Sequence, residues 1–258
     1  APKYLLTLDH QGRWHADATL DDTQAAQHFI VKLPRGQQTE DRTLLRNEAA
    51  YMEVAREMGL RVGGQVVHRD GMLFIPRFDR LVGNGKVIRL HQESAASIAG
   101  VAGFNRRPSQ FELLFAIRGV VSDPARETLE YLQRDVLNLA MRNTDNHARN
   151  TALQIIGSTV QLTPLFDFAP MYMDPEGISR AARWYDPQAG HEIGNWADVL
   201  TALALPRHED HALRLALTAF GQRLEELPEI MRRCQVDDAI IDHLHYPMAT
   251  QRAQLKEL

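Results

Sequence analysis

Met141-Arg142-Asn143-Thr144-Asp145-Asn146-His147-Ala148-Arg149-Asn150-Thr151 is a polar stretch set between two apolar ones. Before it, Leu129, Leu132, Val136, Leu139 and Ala140 recur at helical spacing, which predicts an amphipathic helix. After it, Ala152-Leu153-Gln154-Ile155-Ile156 predicts a strand. Asp145 and Asn150 therefore stand on a tight connection between a helix and a strand. The connection is too polar to be core, and its flanks are too apolar to let it wander.

An Asp followed five residues later by an Asn on a rigid loop suits phosphoryl transfer. The Asp can accept the proton of a substrate hydroxyl, and the Asn carbonyl oxygen can bind a magnesium ion. Magnesium prefers hard oxygen ligands and takes one or two carboxylates besides phosphates and water, so a second carboxylate is expected nearby. Gln161-Leu162-Thr163-Pro164-Leu165-Phe166-Asp167-Phe168-Ala169-Pro170 supplies it. Asp167 follows a second short strand, in the order base, Asn, hairpin, carboxylate that protein kinases also use.

These residues resemble the catalytic core of the HipA-like toxin kinases. That family writes T-D-[GN]-H-x-[KR]-N, matched by residues 144–150, and L-[TAS]-P-x-Y/F-D, matched by Leu162 to Asp167. Phe29-Ile30-Val31-Lys32-Leu33-Pro34 resembles its lysine strand. Ile75-Pro76-Arg77-Phe78-Asp79-Arg80 resembles its lobe-linking segment, and Arg89-Leu90-His91-Gln92-Glu93 its R-[LI]-x-Q-E signature. The matches run in the family's order over about residues 1 to 170.

The resemblance implies an α+β, two-lobed, protein-kinase-like fold. Residues 1–80 would form a small β-rich N-terminal lobe and residues 81–258 a larger helical C-terminal lobe. It implies an Mg-ATP-dependent serine/threonine protein kinase, the toxin of a bacterial toxin–antitoxin pair, with aminoacyl-tRNA synthetases among the family's targets. A helix-turn-helix antitoxin would be the partner, and DNA would be met only through it. Asp145 would be the base, Asn150 and Asp167 the magnesium ligands, and His147 a steadying group on phosphate or loop. Lys32 would face the ATP phosphates with Glu48 orienting it, and the backbone from Ile75 through Arg77 to Phe78 would meet the adenine.

Composition is compatible with this. The chain has 258 residues, 44% hydrophobic and 24% charged, ordinary values for a globular protein. A net charge of −4 gives no broad electrostatic reason to bind nucleic acid. The single cysteine, Cys234, excludes an internal disulfide and fits a reducing, cytoplasmic setting. No apolar run approaches the ~20 residues that cross a bilayer. The histidines of His208-Glu209-Asp210-His211, His191-Glu192 and His243-Leu244-His245 lack the spacing of a zinc protease.

Further elements follow from the pattern. Tyr4 to Asp9 reads as a strand, Asp21 to Gln27 as a loop, and Phe29 to Leu33 as a strand. A helix is expected from Glu40 to Met58, stopped by Gly59, and then strands at Val66-Val67 and Leu73 to Ile75 around Asp70-Gly71. Leu81 to Lys86 reads as a turn, Ser94 to Ile98 as a helix, and Gly100 to Pro108 as a loop. Helices are expected at Phe111–Gly119, from Pro124, at Trp196–Leu203, at His211–Leu227, from Pro228, and last from Asp237-Asp238. Met171 to Arg183 resembles an activation segment, in which Arg180 and Arg183 read as ordinary surface arginines. The chain opens on Ala1-Pro2-Lys3, the place of the tail of a glycine-rich loop, and reads as trimmed there. Two other readings stay open: a pseudokinase-like binding module, and a small-molecule phosphotransferase.

Overall fold

The computed structural model describes residues 1–103, 106–186 and 190–258. Its N-terminal part is an antiparallel sheet of β1 (Lys3–Asp9), β2 (Trp14–Ala16), β3 (Ala25–Lys32), β4 (Val67–Arg69) and β5 (Met72–Pro76), with α1 (Thr39–Glu57) between β3 and β4 in the chain. The strand order is β2-β1-β3-β5-β4, so β3 is central and Lys32 stands at its end, opposite Lys3 and Leu73. α1 packs on β4 and β5. Asp70 and Gly71 have positive φ (53° and 72°), as a two-residue hairpin loop requires.

Two expectations are corrected here. β3 begins at Ala25, inside the stretch read as a loop, because Ala25 pairs with Asp9 of β1. Leu33 falls outside β3 and donates its N–H to the Pro2 carbonyl instead. The expected turn at Leu81 to Lys86 is a hairpin of β6 (Arg80–Gly83) and β7 (Lys86–Arg89). Only Asn84 and Gly85, with φ of 51° and 66°, form its loop.

β8 (Gln92–Ser94) leads into α2 (Ala95–Ile98), where the Ser94 side chain accepts from the Ser97 N–H. Residues 104 and 105 of the loop expected at Gly100 to Pro108 lie outside the described residues. α3 (Gln110–Arg118) precedes α4 (Pro124–Ala140), whose Asp123 carboxylate caps the Arg126 N–H with Pro124 in the first turn. β9 (Ala152–Ile156) and β10 (Thr159–Leu162) form a hairpin that joins β8 in a three-stranded sheet. A short ladder of β11 (Tyr185–Asp186) and β12 (His191–Glu192) follows.

Helices complete the chain: α5 (Trp196–Ala202), α6 (Arg207–Arg223), α7 (Leu227–Arg233), α8 (Asp238–His243) and α9 (His245–Lys256). α6 starts four residues before the expected His211 and ends at Arg223, because Pro206 and Pro228 set the boundaries. The last expected helix is two. Pro247 lacks the N–H that would continue α8, so a new helix starts around it. The core centres on α4, whose Leu132, Val136, Leu137 and Ala140 are fully buried among α3, α6 and α9. Burying that stripe holds the polar stretch after Ala140 at the surface of the core.

Candidate active site

The loop after α4 is braced from several sides. Arg142 turns left-handed (φ 51°) and ends the helix, while Tyr51 of α1 donates to the Met141 carbonyl at 3.1 Å. The buried Asn143 side chain donates to Asn138 Oδ1 at 2.9 Å and reaches the Asp167 carbonyl at 3.4 Å. The N–H groups of Ala95 and Ala96 bind the carbonyls of Thr151 and Ala148. Asn150 Nδ2 donates to the Asp145 carbonyl at 2.8 Å. On the next hairpin, Arg134 of α4 donates to the Thr163 carbonyl at 2.8 Å. Asp167 adopts φ 51°, uncommon without glycine, and Phe168 beside it is anchored on Tyr51 with ring centroids 5.3 Å apart.

Lys32 is the junction. Its Nζ donates to Glu48 Oε1 at 2.5 Å and also to Asp167 Oδ1. Two chambers meet there. One, of about 310 Å³, is mainly apolar and is lined by Leu5, Ile30, Met52, Val66, Phe78 and Phe166 among others. The other, of about 150 Å³, is the more polar of the two and is lined by Arg35, Asp41, Asp145 and Asp174 among others. Lys3, Lys32, Glu48 and Asp167 border both. Gly64 closes the apolar chamber against Pro76, where a Cβ would lie 2.9 Å from the proline ring.

The charges follow from this packing. Burial works against the Lys32 ammonium, but the carboxylates of Glu48 and Asp167 outweigh it and hold its pKa well above the usual lysine range. Burial raises the Glu48 pKa, with Lys32 opposing. Burial also acts to raise Asp167, but the Lys32 ammonium lowers it below the usual carboxylate value. Asp145 is raised, first by burial; Asp167 and Asp174 add to that, while His147 and Arg35 oppose it.

The structure thus brings Lys32, Glu48, Asp145 and Asp167 to one cleft, with Ile75, Arg77 and Phe78 on the apolar chamber. Of that linking segment, the Arg77 N–H is committed to the His28 carbonyl at 2.8 Å, and the Arg77 guanidinium to Asp17 and Asp79. His147 and Asn150 both contact Asp145 but line neither chamber. His147 Nε2 lies 3.6 Å from Asp145 Oδ1, and its Nδ1 accepts from the Arg149 N–H. Arg180 is no ordinary surface arginine: it pairs with the buried Asp135 at 2.6 Å.

Sequence reasoning did not single out Lys3, Arg35, Asp135, Asn143 or Asp174. Arg35 spans the polar chamber to the buried Asp174 at 3.2 Å. The one local signal was Pro34-Arg35-Gly36, a cation in a turn beside the lysine strand.

Does the cleft suit a magnesium ion? Among the described residues no group of three or more His, Cys, Asp or Glu is arranged as a metal cage. Asp167 and Asn150 offer one carboxylate and one amide oxygen. That is a fitting protein share for an ion that completes its shell with phosphate and water.

A sheet-based lobe over a helical lobe, with this cleft between them, defines a protein-kinase-like fold. Residues 1–239 match the HipA-like C-terminal domain family, and the chain belongs to it. It is 29% identical over 142 residues to "Putative kinase Y4mE" of Sinorhizobium fredii, which covers 50% of this chain and 33% of that protein. It is similar in structure to HipA of Shewanella oneidensis, solved in a complex of HipA, HipB and operator DNA. The TM-score there is 0.72 at 21% identity, over 100% of this chain and 66% of that one. It is also similar to the proinflammatory kinase CtkA of Helicobacter pylori, with a TM-score of 0.56 at 14% identity, over 90% of this chain and 88% of that one. The chain spans a third of the length of Y4mE.

Proposed function

We propose that this chain is the catalytic core of an Mg-ATP-dependent serine/threonine protein kinase. The observation that carries the reading is Lys32, paired with Glu48 and Asp167 where an apolar chamber meets a polar one that Asp145 borders. In this reading the adenine occupies the apolar chamber and the phosphates the polar one. Residues 1–80 form the lobe covering the nucleotide, and residues 81–258 the lobe that carries the base.

The substrate hydroxyl oxygen forms a bond to the γ-phosphorus as the bond to the bridging oxygen of ADP breaks. Asp145 orients that hydroxyl and takes its proton. Its raised pKa, caused first by burial, makes it a stronger base than an exposed Asp. Lys32 neutralises charge on the phosphate oxygens, and Glu48 keeps its ammonium in place. His147, beside the Asp145 carboxylate, steadies the loop. Asp167 and Asn150 would hold the magnesium ion, which supplies charge neutralisation between the phosphates when bound.

Family membership supports a place in a toxin–antitoxin system, with a protein substrate of the aminoacyl-tRNA synthetase kind. The HipB and operator DNA bound to the Shewanella protein support a helix-turn-helix antitoxin as partner, with DNA met through it. Among the described residues no helix is long and apolar enough to cross a membrane. The toxin–antitoxin complex of the Shewanella protein with operator DNA supports a cytoplasmic setting.

The test is transfer of labelled γ-phosphate from Mg-ATP to candidate proteins, alongside calorimetry with Mg-ATP. Wild type should transfer label, and Asp145→Ala and Asp167→Ala should not, with unchanged far-ultraviolet dichroism. No heat at millimolar nucleotide would point to a binding module. Transfer to small alcohols but not to proteins would point to a small-molecule phosphotransferase.

A further inference from the structure

We propose that Asp135 is a positioning residue, which locks the loop carrying Asp145 to the segment Arg180–Trp184 through one buried carboxylate. The inference rests on the reading of Asp145 as the base.

Asp135 lies on α4 and is 2% exposed. Oδ1 accepts from Asn146 Nδ2 at 2.7 Å, from an Arg180 guanidinium nitrogen at 2.6 Å and from Gln110 Nε2 at 3.3 Å. Oδ2 accepts from the same Arg180 nitrogen at 2.6 Å and from Trp184 Nε1 at 2.8 Å. The donors come from three separate parts of the chain: the start of α3, the loop after α4, and the segment before β11. Burial of a carboxylate calls for a counter-ion and further hydrogen bonds, but it does not call for donors from three separate segments. A buried pair is also a poor device for stability, because apolar residues of the same volume often do as well. What the arrangement secures is relative position.

The position it secures is next to the chemistry. Asn146 directly follows Asp145, and it is held at both ends. Its side chain is on Asp135, and its carbonyl accepts from the Ala182 N–H at 3.4 Å. The other tethered segment is fixed in turn. Arg180 Nε donates to the Ala182 carbonyl at 2.8 Å, and the Gln110 N–H donates to the Arg183 carbonyl at 2.8 Å. Six residues before Arg180 in the chain, Asp174 forms a wall of the polar chamber. Rearranging residues 174–184 therefore pulls on Asp135, and through Asn146 on the backbone that aims Asp145. No Asp135 atom is placed on the nucleotide chambers, so its effect is on transfer and not on nucleotide binding.

The test uses the full chain with Asp135→Asn, Arg180→Gln and Asn146→Ala, read by steady-state kinetics and by amide hydrogen exchange. An Asn at 135 turns an amide N–H toward donors and loses the charge that Arg180 needs. Asn146→Ala removes only the loop's own tie and leaves the buried pair intact, so it serves if Asp135→Asn does not fold. Misaiming a catalytic group by about an ångström costs roughly a hundredfold. We expect kcat to fall about ten- to a hundredfold in Asp135→Asn and Asn146→Ala, with KM for Mg-ATP within about twofold of wild type. Exchange at residues 144–147 and 180–184 should rise together in Asp135→Asn and Arg180→Gln. An unchanged kcat in Asn146→Ala, or a loss that appears in KM for ATP, overturns the proposal. So does faster exchange at 180–184 with residues 144–147 unaltered. If wild type transfers no phosphate, the reading of Asp145 fails instead, and the exchange experiment still decides whether Asp135 couples the two segments.

Discussion

Lys32 carries one positive charge and faces two carboxylates, and the consequences divide unequally between them. Lys32 and Glu48 are both nearly enclosed, with side chains 8% and 11% exposed. Removing the ammonium leaves Glu48 buried and unpaired, a situation that costs about 3 kcal/mol. Lys32→Met should therefore lower the melting temperature by roughly 6–12 °C, given about 2–4 °C per kcal/mol at this size. Glu48→Gln keeps an oxygen for Lys32 and sheds a carboxylate that burial already pushes toward the neutral form. It should cost at most about 1.5 kcal/mol. A Glu48→Gln melting temperature below that of Lys32→Met would contradict this account. Asp145 makes a separate prediction through pH. A base works when deprotonated, so transfer at saturating Mg-ATP should rise with pH through the raised pKa of Asp145, above the ordinary 3.8. Asp174 is one of the charges that raise it and Arg35 one that lowers it. Asp174→Asn should move the acidic limb to lower pH, and Arg35→Ala to higher pH. Limbs that coincide in both variants would remove Asp145 as the titrating group. Asp145, Asp167 and Lys32 stood out through the motifs that hold them, and Glu48 only through its place on the helix after the lysine strand. Asp135, Arg35 and Asp174 were not, because their partners lie 45 and 139 residues away in the chain and no local pattern records such contacts.

α1, the helix that carries Glu48, is fastened to the C-terminal helices along its length. Arg46 pairs with Asp237 at 2.5 Å, and the buried Asn47 accepts from the Asp237 N–H at 3.0 Å. At its C-terminal end Glu57 pairs with Arg233 at 2.5 Å and accepts from the Cys234 thiol at 3.6 Å, while Arg223 reaches the Glu57 carbonyl at 2.5 Å. A helix held at its middle, beside Glu48, and at its C-terminal end does not swing freely, so the Lys32–Glu48 pair should persist without nucleotide. Cys234 reports on the fastening. Burial and then the Glu57 carboxylate push its thiol up to about 12. At pH 8 its thiolate fraction is on the order of one in ten thousand, against roughly a quarter for an ordinary cysteine, and the thiolate is the reactive form. Alkylation of native protein at pH 8 should therefore be more than about a hundredfold slower than after denaturation, and Glu57→Gln should speed it. Equal rates in native and unfolded protein would mean that α1 and α7 do not meet in solution. Elements with strong local signals, such as α1 before Gly59 and α4 behind Asp123-Pro124, were legible to within a few residues. The start of β3 and the break between α8 and α9 were not. A neighbouring strand decides the first, and one proline inside an apolar run decides the second.

The two lobes also share backbone. Leu165 N–H donates to the Arg61 carbonyl at 2.7 Å, and Val62 bridges to Leu165. The side chain of Arg61 reaches Glu127 of α4 at 2.7 Å. Arg35 adds a pair to Asp174 across the polar chamber, but it is 42% exposed and such pairs contribute about 0.2–1 kcal/mol at most. The buried ties outweigh the exposed one, so the lobes should unfold together. Calorimetry should show a single transition, with calorimetric and van't Hoff enthalpies equal, as two-state unfolding requires. Both chambers take walls from β3 and α1 on one side and from residues 165–174 on the other. A nucleotide bound there binds only the folded chain, and at a hundred times its dissociation constant it adds about 2.7 kcal/mol. Magnesium with a non-hydrolysable ATP analogue should then raise the melting temperature by roughly 5–11 °C without splitting the transition. Asp167→Ala should lose the part of that rise that depends on magnesium, because the proposed mechanism makes Asp167 a ligand of the ion. Asp145→Ala should keep nearly all of it, because the proposed mechanism sets Asp145 on the incoming hydroxyl and not on the nucleotide. Two separate transitions would refute the shared unfolding. An equal loss of the rise in both variants would refute the division of labour between the two carboxylates.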